Sequence, residues 1–307
     1  MKFSKIYRVM QREPRLVVPS LPRFYSILGG RQYNGTVRWY GGKYFQLKDL
    51  LPYIGELAEH NKATTFIDCC GGSAKVCINI DQSGYTFENK IYNDIDYGMA
   101  CLMAVAQSPE ETKKMIEYLK ELGTGKEVFE YCQKNRENHD MDMFKVAAFN
   151  FFVTQCSYDA TGKFYNSNRV TEEVYQRDIE KAYRFPEITS GIKVINNTYQ
   201  DIFRVYGSDK QVLKYMDPPY HPATRATANV YNHEMSKEQH QEMVNILCKS
   251  NCWILSGYDP AAYGCDDYKP LEDAGAQKIV LAEYHVSAGS GRRKGKLQKE
   301  EVIWVKE

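Results

Sequence analysis

Phe66-Ile67-Asp68-Cys69-Cys70-Gly71-Gly72-Ser73-Ala74-Lys75 decides the fold. An apolar run breaks into paired glycines and then into a helical pattern, which reads as strand, tight turn and helix. Outward from it, short runs rich in β-branched and aromatic residues predict seven strands: 64–70, 90–94, 193–197, 211–216, 252–257, 277–284 and 301–305. Helical patterns separate many of them. Such alternation predicts an α/β fold, a doubly wound, mostly parallel seven-stranded sheet covered on both faces, with ligand chemistry at the strands' carboxyl ends.

Two helices are marked by their caps. Ser108 precedes Pro109 and Glu111, apolar Met115, Ile116, Leu119 and Leu122 follow on one face, and Gly123 ends the run. Ser236 and Gln239 start the second, with Met243, Ile246 and Leu247 as its stripe. From 100 to 190 alternation lapses into consecutive helical stretches, read as an inserted helical subdomain between residues 37–99 and 191–307. A loop at 287–296 joins the last two strands as a closing hairpin. It carries Arg292, Arg293, Lys294 and Lys296 with no acid.

The chain has 307 residues, 43% hydrophobic, enough for one large domain and a smaller one. Its 40 basic and 39 acidic residues give a net charge of +1, so charge has to be read locally. Residues 1–36 form a basic extension with seven basic residues and one acid, Glu13, before Thr36; it suits either phosphate contact or a solvated arm. Nine cysteines without paired C-x-x-C spacing suggest reduced, buried thiols rather than disulfides or zinc, and no metal is expected. No apolar stretch is long enough for a bilayer, and no signal peptide is evident, so a cytoplasmic location and no membrane partner are expected.

Lys214-Tyr215-Met216-Asp217-Pro218-Pro219-Tyr220 places an acid, two prolines and an aromatic where a predicted strand stops. Adenine's exocyclic amine is a poor nucleophile because its lone pair is delocalised into the ring. Methylating it needs acceptors that hold its N–H groups. Asp217 offers one; the carbonyl of Pro218, aimed by a backbone that consecutive prolines restrict, offers the second. Tyr220 can stack on a base extruded from the duplex. A strand end with a turn acid and a packing tyrosine explains the same tetrad in structural terms.

With these residues in view, the chain resembles the Dam-type adenine-N6 DNA methyltransferases, whose catalytic tetrapeptide is Asp-Pro-Pro-Tyr. The resemblance runs from about Val37 to the C-terminus and implies a methyltransferase-type sheet, S-adenosylmethionine as cofactor and duplex DNA as partner. It gives catalytic roles to Asp217, Pro218, Pro219 and Tyr220. Arg38-Trp39-Tyr40-Gly41-Gly42-Lys43 is similar to the family's N-terminal motif, which brings Trp39, Tyr40, Gly42 and Lys43 to the cofactor. Physically, Lys43 can meet the carboxylate of the methionine moiety, and a simple turn is the alternative. Asp68, Gly71, Gly72 and Ser73 occupy the place of the cofactor loop, although Cys70 and Ala74 depart from its usual aromatic and second glycine. Asp94 is expected to accept the ribose hydroxyls and Asp96 to cap a helix or lie on the surface. Asp201 and Ile202 resemble the family's adenine contacts and join Asp217 in the cofactor set.

The resemblance also implies that the 100–190 insert is a target-recognition subdomain, with Lys163 and Arg169 as groove or phosphate contacts. Its twelve basic and fifteen acidic residues form no uniformly cationic surface. Arg292, Arg293 and Lys294 are the better electrostatic candidates for DNA, a solvated loop being the alternative. Cytosine N4, RNA adenine or a catalytically inactive DNA-binding relative are the rival readings. Cytosine C5 chemistry is excluded because no Pro-Cys dipeptide occurs to present a thiol. A bacterial or phage-encoded monomer or weak dimer is expected; no cognate restriction endonuclease is inferable from one chain.

Overall fold

The computed structural model describes residues 33–225, 230–286 and 297–307. Seven strands form one sheet: β1 (Thr65–Asp68), β2 (Asn89–Asn93), β3 (Ile192–Ile195), β4 (Val212–Met216), β5 (Trp253–Gly257), β6 (Gln277–Val286) and β7 (Leu297–Lys306), in the order β3-β2-β1-β4-β5-β7-β6. The first five are parallel. β7 runs antiparallel to β5 and β6 antiparallel to β7, which gives the closing hairpin its pairing. All seven predicted strands are present, with ends moved by one or a few residues.

Period-two alternation divides the core into two layers. Phe66, Tyr92, Leu213, Tyr215 and Ile254 face one hydrophobic cluster, whereas Ile67, Ile91, Val212, Met216 and Trp253 face the other. The first layer is covered by α1 (Leu47–Asn61), whose Leu47, Leu50, Leu51, Ile54 and Ala58 form one buried stripe. The second is covered by α9 (Tyr199–Tyr206), α10 (Lys237–Cys248) and α11 (Lys269–Asp273). The predicted capping box of α10 is present, Ser236 accepting from Gln239 N and Gln239 from Ser236 N.

Between β1 and β2 lies α2 (Lys75–Asn79), and between β2 and β3 come α3 (Tyr97–Ala106), α4 (Pro109–Leu122), α5 (Lys126–Asn135), α6 (Met143–Gln155), α7 (Glu172–Ala182) and α8 (Phe185–Ile188). Ser108 caps α4 as predicted. Residues 146–155 of α6 are all buried, the mark of a helix packed on every side. Consequently the helical stretch is not set apart: Met99, Leu102, Phe149 and Phe152 share one cluster with the strand residues Phe66 and Tyr215. All nine cysteines are free thiols, six of them buried. No helix among the described residues is long and apolar enough to cross a membrane. The 1–32 arm and the 287–296 loop, with Arg292, Arg293 and Lys294, lie outside the described residues.

Candidate active site

β1 pairs with β2 on one side and β4 on the other, so winding reverses between β1 and β4. A crevice is expected at the carboxyl ends there. A cavity of about 290 Å³ occupies it. Its walls come from the strand ends at Asp68, Asp94 and Asp217, from the 39–43 turn, from the entry to α9 and from the 231–235 segment.

Burial and charge concentrate around Asp217. Lys43 is 2% exposed, and its ammonium donates to Asp217 Oδ1 (2.6 Å) and to the Tyr220 hydroxyl (2.7 Å), with Glu301 Oε1 at 3.5 Å. The Tyr220 hydroxyl in turn donates to buried Glu301, and its ring meets Tyr258 edge to face at 4.7 Å. Desolvation pushes Asp217 up to about 6 even though Lys43 pulls it down. Lys43 therefore faces three oxygens of the protein itself.

The Gly-rich turn is held from behind. Asp94 accepts from Gly72 N (2.7 Å) through Oδ2 and from Asp96 N (2.9 Å) through Oδ1, while Tyr92 donates to the Gly72 carbonyl. Burial raises Asp94 to about 7. Gly72 has φ +50° and a Cβ there would lie 2.6 Å from Trp39 Nε1, so both backbone and space demand glycine. Ala74 also stands in the left-handed region, at φ +61°, which explains why a glycine is usual at that point of the turn. Asp68 is buried, and its Oδ1 has no hydrogen-bond partner among the described residues.

The D12 class N6 adenine-specific DNA methyltransferase family matches residues 39–256, from Trp39 at the cavity to the end of β5. The chain belongs to that family. This methyltransferase accordingly transfers a methyl group from S-adenosylmethionine to N6 of adenine at specific sites in DNA. A comparison with curated proteins gave no match.

Of the residues expected from sequence, Trp39, Tyr40, Gly42, Lys43, Asp68, Gly71, Gly72, Ser73, Asp94, Asp217 and Pro219 line the methyltransferase cavity together. Tyr220 bonds the lining residue Lys43, and Pro218, between Asp217 and Pro219, is buried. Asp201 and Ile202 do not line it. Asp201 pairs with Thr198 to cap α9 and with Arg204, and Ile202 belongs to the second core layer; Thr198, Tyr199 and Gln200 reach the cavity in their place. Asp96 caps α3 as expected, but it is buried and paired with Arg136 at 3.0 Å rather than on the surface. Arg169 pairs with buried Asp178 and donates to the Gln155 carbonyl. Lys163 stands on the 156–166 loop beside Phe164, which is 71% exposed.

Four residues that sequence reasoning missed belong to the site. Glu301 shares Lys43 with Asp217; an acid inside an apolar strand was its only signal. Lys75 and Tyr231 line the cavity, and His233 bonds Glu137 (2.7 Å), clasping the 231–235 wall to the end of α5. Glu137 draws the His233 imidazole above its ordinary range.

Proposed function

We propose that S-adenosylmethionine binds in this cavity and that Asp217, with the Pro218 carbonyl, holds the amine of an adenine turned out of duplex DNA. The observation that carries this reading is the shared cavity: Asp217, at the end of β4, borders the same space as the orphaned Asp68 Oδ1 and Asp94. A buried acceptor without a donor suits the ammonium of an amino-acid moiety. Asp94, although bonded to two backbone N–H groups, has lone pairs left for ribose hydroxyls.

When bound, S-adenosylmethionine supplies an electrophilic methyl group on a sulfonium. The protein's part is to position and to accept. Lys43 engages Asp217 Oδ1, which leaves Oδ2 to accept an amine N–H and keeps the carboxylate ionised. The Pro218 carbonyl takes the second N–H, favouring a pyramidal nitrogen. Tyr220, anchored by its hydroxyl to Lys43 and Glu301, presents its ring to the extruded base. We assign target recognition to the helical stretch at 100–190, with Lys163 and exposed Phe164 on its DNA side, and the catalytic unit to 37–99 and 191–307. The methyltransferase acts as a monomer or weak dimer in a bacterial or phage setting.

Incubation with methyl-labelled cofactor and unmethylated DNA tests this, followed by nucleoside analysis and site mapping. Label is expected in N6-methyladenine at a fixed sequence, and Asp217→Ala is expected to lose it while cofactor binding persists. Label in cytosine or in RNA alone, or full turnover by that variant, overturns the assignment.

A further inference from the structure

Among the described residues two ammonium groups line the cavity, and one of them is matched by protein oxygens. Lys43 is held by Asp217, Tyr220 and Glu301. Lys75 is 6% exposed, and among the described residues its ammonium has neither an ion pair nor a hydrogen bond. Its stem packs where a Cβ on Gly35 would come within 3.0 Å of Cγ, and its Nζ lies against Gly42, where a Cβ would come within 2.2 Å. Lysine stems ordinarily pack on apolar surface while the charge reaches bulk water. Here the charge ends inside the cavity instead. Burying an ammonium without a counter-charge is unfavourable, and an apolar side chain of the same length would fill the space without that cost. Burial and the repulsion of nearby Lys43 lower this ammonium to about 8, against the pull of Asp217.

The missing partner is an anion that enters from solution. Lys75 opens α2 directly after the Gly71–Ala74 turn, and Asp68 ends β1 directly before it, so cation and orphaned carboxylate oxygen flank one turn. An α-amino acid carries its ammonium and its carboxylate on the same carbon and needs one acceptor and one donor close together. We infer that Lys75, not Lys43, is the counter-charge for the carboxylate of the methionine moiety, with Asp68 receiving the ammonium. The inference rests on the cavity being the S-adenosylmethionine site. The two lysines then have separate roles, Lys43 setting the charge of Asp217 and Lys75 selecting the cofactor's amino-acid end.

Calorimetric titration with S-adenosylhomocysteine and with its decarboxylated analogue tests it without any turnover. The wild-type protein is expected to prefer the carboxylate-bearing ligand by about ten- to a hundredfold, as a charge-assisted contact warrants. Lys75→Met is expected to erase that preference, Lys75→Arg to keep part of it, and Lys43→Met to retain it. The thermal midpoint of ligand-free Lys75→Met should equal or exceed that of wild type, because an unmatched buried charge has gone. Equal wild-type affinity for the two ligands overturns the inference with no variant needed. So does a preference that survives Lys75→Met or vanishes in Lys43→Met. Binding of neither ligand by the wild type removes the cofactor-site assignment itself, together with the inference built on it.

Discussion

Asp217 is opposed by burial, supported by Lys43, repelled by Glu301 and supported more weakly by Lys75, and its position at about 6 is the balance of these. The ionised form is the stronger acceptor of an amine N–H and better stabilises the charge that develops on the nitrogen, so kcat/KM should rise with pH through about 6 and then level. A limb near the ordinary aspartate value of about 4 contradicts this assignment. Each neighbour moves that limb in a defined direction. Glu301→Gln removes a repelling charge and should shift it to lower pH, whereas Lys43→Met removes the supporting charge and should shift it upward. pH–rate profiles of the two variants check both signs. Gly72 is constrained by its backbone and by Trp39 at once. Gly72→Ala should cost about 1–3 kcal/mol and loosen cofactor binding, measurable by denaturant unfolding and calorimetry; an unchanged midpoint argues that the turn is not strained.

Among the elements, the 231–235 wall is tied to the end of α5 by a polar clasp. His233 bonds Glu137, and Asn232 donates to the same carboxylate at 2.8 Å. Glu137 raises His233 above its ordinary value and is itself lowered, so the charged pair is present between the two values, disappearing as pH rises through the raised histidine value or falls through the lowered glutamate value. Glu137→Gln should weaken S-adenosylhomocysteine binding severalfold, consistent with about 1 kcal/mol for a half-buried charged hydrogen bond, and should flatten its pH dependence. Binding that stays tight and pH-dependent in this variant would show that the wall closes by other means. The clasp also shows where sequence reading stops. Strands were legible because each is a short apolar or β-branched run, and the motifs at their ends were legible because parallel strands gather their carboxyl ends. β7 was foreseen only at 301–305, since the polar residues before it pair with β6 and leave no trace in hydrophobic pattern. His233 and Glu301 sit far from any motif, and only the fold brings them to the site, whereas Lys75 closes the Phe66–Lys75 motif and reads in one dimension as an ordinary helix-opening residue. Asp201 resembled a ligand contact because a helix cap and a ligand acid look alike in one dimension.

At the scale of the whole molecule, a net charge of +1 gives no uniform attraction to DNA, so affinity has to come from arrangement. The helical stretch commits two of its cations inward, Arg136 and Arg169 pairing with Asp96 and Asp178, while its 156–166 loop carries Lys163 beside exposed Phe164. The densest run of basic charge is the Arg292, Arg293, Lys294 stretch between β6 and β7, the hairpin whose second strand also carries Glu301 into the site. A phosphate contact there would couple DNA engagement to the strand that shares Lys43 with Asp217. Phosphate neutralisation releases counterions, so replacing the three residues with Gln should reduce the slope of log affinity against log salt by about one for each phosphate no longer neutralised. Affinity for S-adenosylhomocysteine, measured alongside, separates a DNA effect from damage to the cofactor site. Fluorescence anisotropy over a salt series reads the slope directly. An unaltered slope assigns the phosphate contacts elsewhere, and Phe164→Ala then becomes the discriminating variant, since removing an apolar side chain lowers affinity at every salt concentration without changing the slope.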